Sequence, residues 1–555
     1  MRNQIVTHCC VCLFMAIMFS LITTTSLNCV VFNVNIEPAN SIQAVVDTLT
    51  SNSNYTYNLY LRHYGNVVIH SENLILGGLE CDVNFYAGSD SVITESDLNK
   101  IIIDGMGVSS TIFMNNCNNN MTFNGMTIRN GAGYYTMGST YGGGIYIGPF
   151  HSSPTSIHIN KCTIKDNHAN RGAGICVESG TQVESLLELY INDSCIKNNG
   201  PSGSTISTTG GGIRIDSGNL YINNSSFLEN YSGNGGGIYK SGVTSISEVT
   251  ISNSIIHHNS AAYSASAIHF EGALNVVRRS ELKLLNTTIA NNECDTAYDG
   301  WNGVTVLCVR DVSHQNDLEM INSILWNNTS DSIVEPQIII QGGSSYGTNT
   351  VNYNCVQLGC PAGSNNLTDN TDPLLVDEDN YDYNLKWTSS EKSPCIMAGY
   401  DQFGSDHYDR TDMGAIQYEA NPHEYYTYRF PPHSERHGIK WMSFPTADRI
   451  LSSPDQDMAF TMFDPIMQIP PPVTGIQWKP NNSYIQNLYY YNNQWYGNNH
   501  SVIPEQGYKF TSDENLSTPV HLYIKGLVYP DDTATSIVAL LNGLPNEKVV
   551  SQKLV

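Results

Sequence analysis

Two rows of polar residues carry the side-chain types from which chemistry could be built in this chain. Tyr146, Cys176, Arg214, Tyr239 and His269 each follow an isoleucine in a recurring small-residue phrase. Glu178, Asp216 and Glu271 stand two residues beyond Cys176, Arg214 and His269. The phrases are Gly142-Gly143-Gly144-Ile145, Gly172-Ala173-Gly174-Ile175, Gly210-Gly211-Gly212-Ile213, Gly235-Gly236-Gly237-Ile238 and Ser266-Ala267-Ile268. In a strand, side chains alternate between two faces. If Ile145/Ile147, Ile175/Val177, Ile213/Ile215 and Ile268/Phe270 point inward, the polar residues form two outward columns. Aromatic rings beside carboxylates suit sugar stacking and hydroxyl bonding, or a calcium ion held between carboxylates. A solvated strand face also needs polar residues. Tyr146, Glu178, Arg214, Asp216, Tyr239, His269 and Glu271 are therefore the ligand-binding candidates.

Catalysis makes stricter demands. A glycosidase needs two acids about 5 to 9.5 Å apart, and Glu178 with Asp216, from successive coils, could satisfy that. A lyase needs clustered acids and a basic residue to take a proton next to a carboxylate. Arg278-Arg279 is the paired basic step, and His257, His258 and His269 lie in the same region. No Ser-His-Asp order, phosphate-cradling glycine loop or HExxH sequence stands out. No catalytic residue or metal ligand is assigned, no cofactor is indicated, and calcium is an open expectation.

The elements that must position these residues are strands. Leu220 to Asn230 is the clearest of six copies of one phrase, the others being Ile157 to Asn167, Leu189 to Asn199, Val249 to Asn259, Leu282 to Asn292 and Leu318 to Asn328. Each holds an apolar pair, a small polar break, another apolar residue and a closing Asn. The closing residues Asn167, Asn199, Asn230, Asn259, Asn292 and Asn328 recur every 29 to 36 residues. Such a period marks a solenoid, in which one unit cannot bury its apolar face alone. The apolar period of two predicts strands. Asn tolerates left-handed turns and its amide can bond along a stack, while glycine allows close approach. The prediction is an all-β chain, a parallel β-helix with rungs about 4.8 Å apart. Residues 40–50 read as a short amphipathic helix capped by Asn40 or Ser41, with Ile42, Val45, Val46 and Leu49 on one face. It would protect the open end of the stack. From Ala420 prolines and aromatics accumulate and the period vanishes, which predicts a small β-sandwich. Its stretch Tyr489 to Tyr496 suits either a glycan-stacking surface or a sandwich core.

These residues resemble the right-handed parallel β-helix proteins of the pectin lyase-like superfamily, over about Val31 to Tyr418. The Gly-Gly-Gly-Ile and closing-Asn phrases are also similar to repeats of polymorphic outer membrane proteins. Asp372-Pro373-Leu374-Leu375, Ser393-Pro394-Cys395-Ile396 and Asp412-Met413-Gly414-Ala415-Ile416 resemble the end of secreted bacterial β-helix proteins. Lys440-Trp441-Met442-Ser443-Phe444-Pro445 with Gln506-Gly507-Tyr508-Lys509-Phe510 resembles a module found behind such helices. The resemblance implies a fold shared by lyases, hydrolases and adhesins alike. Hydrolases of this kind carry a tight Asp-Asp pair and a Gly-His-Gly turn, and neither is visible in these coils.

The formal net charge is -25 in 555 residues, with 26 Lys and Arg. So few cations argue against nucleic-acid binding. Residues 1–26 read as an export signal, with an apolar run from Cys9 to Ile22 too short to span a bilayer. No later stretch reads as a transmembrane helix. Cys29 raises the alternative of a lipidated N-terminus. Of 14 cysteines, three lie inside the signal, and Cys355 with Cys360 is a local disulfide candidate. The expected layout is signal 1–26, β-helix 31–418, linker 419–435 and sandwich 436–555. The expected role is a secreted or cell-surface, noncatalytic, adhesin-like protein that binds a polysaccharide or cell-surface glycan. The alternatives are a polysaccharide lyase or glycoside hydrolase working on the outward face, and a structural spacer.

Overall fold

The computed structural model describes most of residues 30–416 and, beyond them, seven strands. The longest stretches outside the description before 416 are 179–186, 272–279, 296–305, 342–348 and 401–411. The export signal, Cys29 and the Arg278-Arg279 step lie outside the described residues.

The chain winds through three long parallel sheets, with a shorter one at the corner between the second and third. Sheet A has eleven strands, from Val30–Ile36 to Asn349–Asn352. Sheet B has ten, from Val68–Ser71 to Cys355–Val356, and sheet C has nine, from Leu74–Ile75 to Ile338–Gln341. One coil contributes a strand to each, as Thr155–Asn160, Thr163–Lys165 and Ile175–Val177 do. Strands in each sheet pair in parallel with the equivalent strands of the coils before and after. The fold is a parallel β-helix, and its rungs begin at Val30, well before the regular phrases. Inward residues of all three sheets, among them Ile145, Ile147, Ile157, Ile164, Ile175 and Ile196, merge into one continuous buried core.

Polar ladders fix the corners. The closing Asn residues lie on successive rungs, fully buried. Each Nδ2 donates to the next Oδ1 at 2.9 to 3.0 Å, from Asn167 through Asn328. The backbone N–H of each donates to the same oxygen, and each Nδ2 also reaches a core-strand carbonyl such as Ile196 O. Gln337 ends the row by accepting from Asn328 at 2.7 Å. The small polar break forms a second ladder, in which Ser194, Ser225 and Ser254 Oγ accept from the backbone of the preceding coil. The left-handed residue is not the closing Asn but the one before it: Asp166, Asn198, Glu229, His258, Asn291 and Asn327 have φ between 51° and 55°. The closing Asn can thus turn its amide inward while its neighbour takes the turn. At the third corner the lead glycines Gly142, Gly172, Gly210 and Gly235 are left-handed, with φ 59° at Gly172, and Ala265 takes that place at φ 51°. The interior ones are crowded, and a Cβ on Gly174 would stand 2.4 Å from Gly212 O.

Both ends of the stack are covered. The helix spans Ile42–Val46 and Ser41 caps it, its Oγ accepting from Ala44 N. Gln43 completes the open edge of sheet C, accepting from Ile75 N at 2.7 Å and donating to Ile75 O at 3.2 Å. At the far end the rungs stop at Val356. The following chain does not continue the winding but folds back beside sheet B. An antiparallel pair, Leu375–Asp377 with Asp382–Leu385, reaches coils more than 120 residues earlier. Gly414 N donates to Asn322 O at 2.7 Å.

A second unit comprises 405–408 and 418–555. Its strands form an antiparallel pair, Tyr425–Phe430 with Val520–Lys525, and a five-stranded antiparallel sheet. The side chains of Tyr489 to Tyr496 lie outside the described residues.

Candidate functional site

The outward columns predicted on sheet C exist in register. Tyr146, Cys176, Arg214, Tyr239 and His269 pair rung by rung. Glu178, Asp216, Ser241 and Glu271 follow in the next outward row. Outward here does not mean exposed. Tyr146, Cys176, Arg214 and His269 are buried, Arg214 being 7% and Asp216 6% exposed, while Glu178, Tyr239 and Glu271 are half-buried.

The cover comes from a third row, Tyr141, Arg171, Thr209, Asn234 and Ser264, bridged from coil to coil just before each small-residue corner. The corner folds this row against the column, five residues further on. Arg171 lies over the Tyr141 ring at 5.2 Å. Thr209 Oγ1 accepts from Arg214, and Ser264 Oγ is 3.2 Å from His269 Nδ1. Tyr146 stacks on Phe113 at 5.2 Å, and Tyr239 stacks on His269 at 4.7 Å with Arg214 over it at 5.0 Å. The ring faces expected to meet sugars are thus occupied by neighbouring side chains.

What the column does is hold the acids. The Tyr146 hydroxyl donates to Glu178. Tyr239 donates to Glu271 Oε1 at 3.0 Å, and His269 Nε2 is 3.1 Å from the same oxygen. Arg214 Nη2 lies 2.7 Å from Asp216 Oδ1. This close ion pair is buried on both sides, and Arg214 Nε has no hydrogen-bond partner. Burial pushes both tyrosine hydroxyls well above their ordinary pKa, with Glu178 and Glu271 adding to the effect. Burial works against the Arg214 cation, but Asp216 beside it prevails and its pKa is raised. Both tyrosines are thus protonated donors and Arg214 stays charged. Among the described residues, no three His, Cys, Asp or Glu side chains converge in a group able to hold a metal ion.

Lys240 is the odd member. It sits inward, between Ile215 and Phe270 in register, wholly buried, with Nζ donating to Ser241 O. Burial pulls its pKa down to about 8, against the pull of Asp216 and Glu271.

The histidines grouped in sequence separate in space. His269 is on sheet C. His257 is on the sheet B strand Ile255–His257 with His258 just after it, beneath Tyr381 and Tyr383 of the returning hairpin. A third surface was missed from sequence. On the outward face of sheet A, His158, Tyr190 and Tyr221 stack at 4.6 and 4.9 Å, half-buried. Glu188, Glu248 and Lys283 flank them, and an amide ladder of Asn124, Asn160 and Asn192 runs alongside. Each ring lies between the two apolar residues of a repeat phrase, so the signal was the middle residue of a motif read only for its fold.

No family model matches the chain, and no curated protein matches it. Among solved structures the chain is similar to a pectate lyase, Pel9A, at 12% identity and a TM-score of 0.33, over 72% of this chain and 98% of that one. The fold described above rests on this chain's own strand register.

Proposed function

We propose that this chain is a noncatalytic β-helix that binds a neutral polysaccharide along the outward face of sheet C. The supporting observation is the division of labour across the strip. Buried Tyr146, Arg214 and His269 orient the acids, while Glu178, Tyr239 and Glu271 stand half-buried at the rim. A carboxylate has about four acceptor positions. The bond from Tyr146 leaves Glu178 able to accept sugar hydroxyls in charge-assisted bonds, without the cost of ordering a loose side chain, and Glu271, held by Tyr239 and His269, presents its carboxylate at the same rim. A net charge of -25 repels a polyanion, which favours an uncharged chain. Among the described residues of the strip, Arg214 is held by Asp216, Thr209 and Tyr239, Arg171 lies over Tyr141, and Lys240 faces the core.

One observation favours a second reading, cleavage. Glu178 and Asp216 follow the paired residues Val177 and Ile215 on adjacent rungs. Their backbones are one rung apart, about 4.8 Å, a spacing from which two carboxyl groups can reach the separation of about 5 to 5.5 Å used by retaining glycosidases. The test is a panel of neutral and acidic polysaccharides, with and without calcium, scored for gel retardation and for new reducing ends. Retardation by a neutral polymer without new ends is expected. Ends that appear with wild type and vanish with Glu178→Gln would establish cleavage instead, and retardation by polyanions alone would overturn the binding proposal.

A further inference from the structure

At the C-terminal end of the β-helix, three cysteines gather that the sheet C strip does not use. Cys355 opens the last rung of sheet B, opposite Ile324, and is buried. Its N–H donates to Ser323 O at 2.9 Å, and its Sγ reaches Thr371 O at 3.2 Å. Cys395 comes from the returning chain and is also buried. Its side chain hydrogen-bonds that of Cys355. The turn that carries Cys395 is pinned: its N–H donates to Ser393 Oγ at 3.1 Å, Ser393 Oγ donates to Pro373 O at 2.5 Å, and Met413 N donates to Cys395 O at 3.0 Å. Cys360 is half-buried and near enough to feel the charge of Cys355.

We propose that Cys355 and Cys395 form a disulfide that fastens the returning chain to the last rung. A thiol is a weak hydrogen-bond donor, so this thiol contact adds little while reduced. Joining it closes a long loop, whereas pairing Cys355 with Cys360 closes a short one, and longer loops lose more unfolded-state freedom. The location matters because an open solenoid end is a sheet edge ready to pair or fray, and the returning chain is its cover. The oxidant is a small-molecule disulfide such as oxidised glutathione. A cysteine thiolate attacks it, one glutathione thiol leaves, and the second cysteine displaces the other from the mixed disulfide. Two cysteine thiols and one glutathione disulfide become one protein disulfide and two glutathione thiols.

The full chain is incubated in oxidised glutathione, unfolded in an alkylating agent and digested without reductant. A peptide pair joining Cys355 to Cys395, lighter by two hydrogens than the separate peptides, is the expected product. Proteolysis between 357 and 394 should slow by roughly tenfold on oxidation. Cys395→Ser should abolish that slowing and Cys360→Ser should retain it. Cys355 recovered alkylated, or joined to Cys360, would overturn the assignment, and this mapping on wild type holds whether or not a variant folds.

Discussion

Lys240 shows how a single residue can work against its own coil. The alternation Ile238-Tyr239-Lys240 places it inward, where a cation is costly. Its pKa falls from 10.5 to about 8 in the fold, chiefly by burial. A lowered lysine pKa means the unfolded chain holds the proton more tightly, so folding carries a penalty that is complete below about pH 8 and gone above about pH 10.5. Lys240→Met keeps the volume and removes the charge. Buried charges replaced in this way commonly leave stability unchanged or improve it by about 1–4 kcal/mol. Thermal unfolding at pH 7 should show a gain of about 1–3 kcal/mol that shrinks as pH rises from about 8 and is gone above about 10.5. A clear loss at pH 7 would show that the ammonium is needed for its bond to Ser241. The alternation was legible in the sequence. That a lysine would hold an inward place was not, because burial of its charge depends on Asp216 and Glu271 from neighbouring coils.

At the scale of elements, ladders and the returning hairpin carry the stability. The Asn230 side chain takes part in four bonds: Nδ2 to Ile196 O and to Asn259 Oδ1, and Oδ1 from Asn199 N and Nδ2. Asn230→Ala strands buried partners on both neighbouring rungs and should cost at least about 3 kcal/mol. Asn223 is exposed and accepts from Ser252 and Asn253, so Asn223→Ala should cost under about 1 kcal/mol. Equal losses in chemical unfolding would refute the buried ladder as the organising element. The hairpin brings a pH dependence. His257 Nδ1 is 3.0 Å from His258 Nδ1, and Tyr383 Oη is 3.3 Å from the latter. Tyr381 donates to Glu229 at 2.9 Å, and Asp379 and Glu378 stand on the same hairpin. Burial, then the charge of His258, lowers the His257 pKa to about 3. The folded state therefore favours neutral His257: its stability is full above about pH 6.5 and declines as pH falls toward 3. That decline is on the order of 5 kcal/mol in full, of which about 3 kcal/mol falls between pH 6.5 and pH 4.5. Melting curves from pH 7 to pH 4.5 should fall more steeply for wild type than for His257→Phe, and parallel curves would remove the hairpin clasp from the account. The six-fold phrase made the ladder readable. The hairpin was not readable, because its partners lie 125 and 152 residues away and no period links them.

Over the whole molecule, stacking turns a sequence phrase into a surface. Residues at one place in each phrase become a column, so the strip on sheet C could be named from sequence alone. The third row that covers it could not, since the fold of each corner decides which residues shield which. The described residues contain no helix long and apolar enough to cross a membrane. Polarity is sorted along the outward faces, with acids held by buried donors on sheet C and amides beside stacked rings on sheet A. The central claim is that the rim acids of sheet C contact the ligand. Its most direct test is affinity electrophoresis of wild type and the Glu178→Gln/Glu271→Gln double variant in the neutral polysaccharide that retards wild type most. Both sites are half-buried and both changes keep shape and hydrogen bonding, so the melting temperature should hold. Affinity should fall by at least about tenfold, two charge-assisted bonds becoming neutral ones. Unchanged retardation in a folded double variant would contradict the claim.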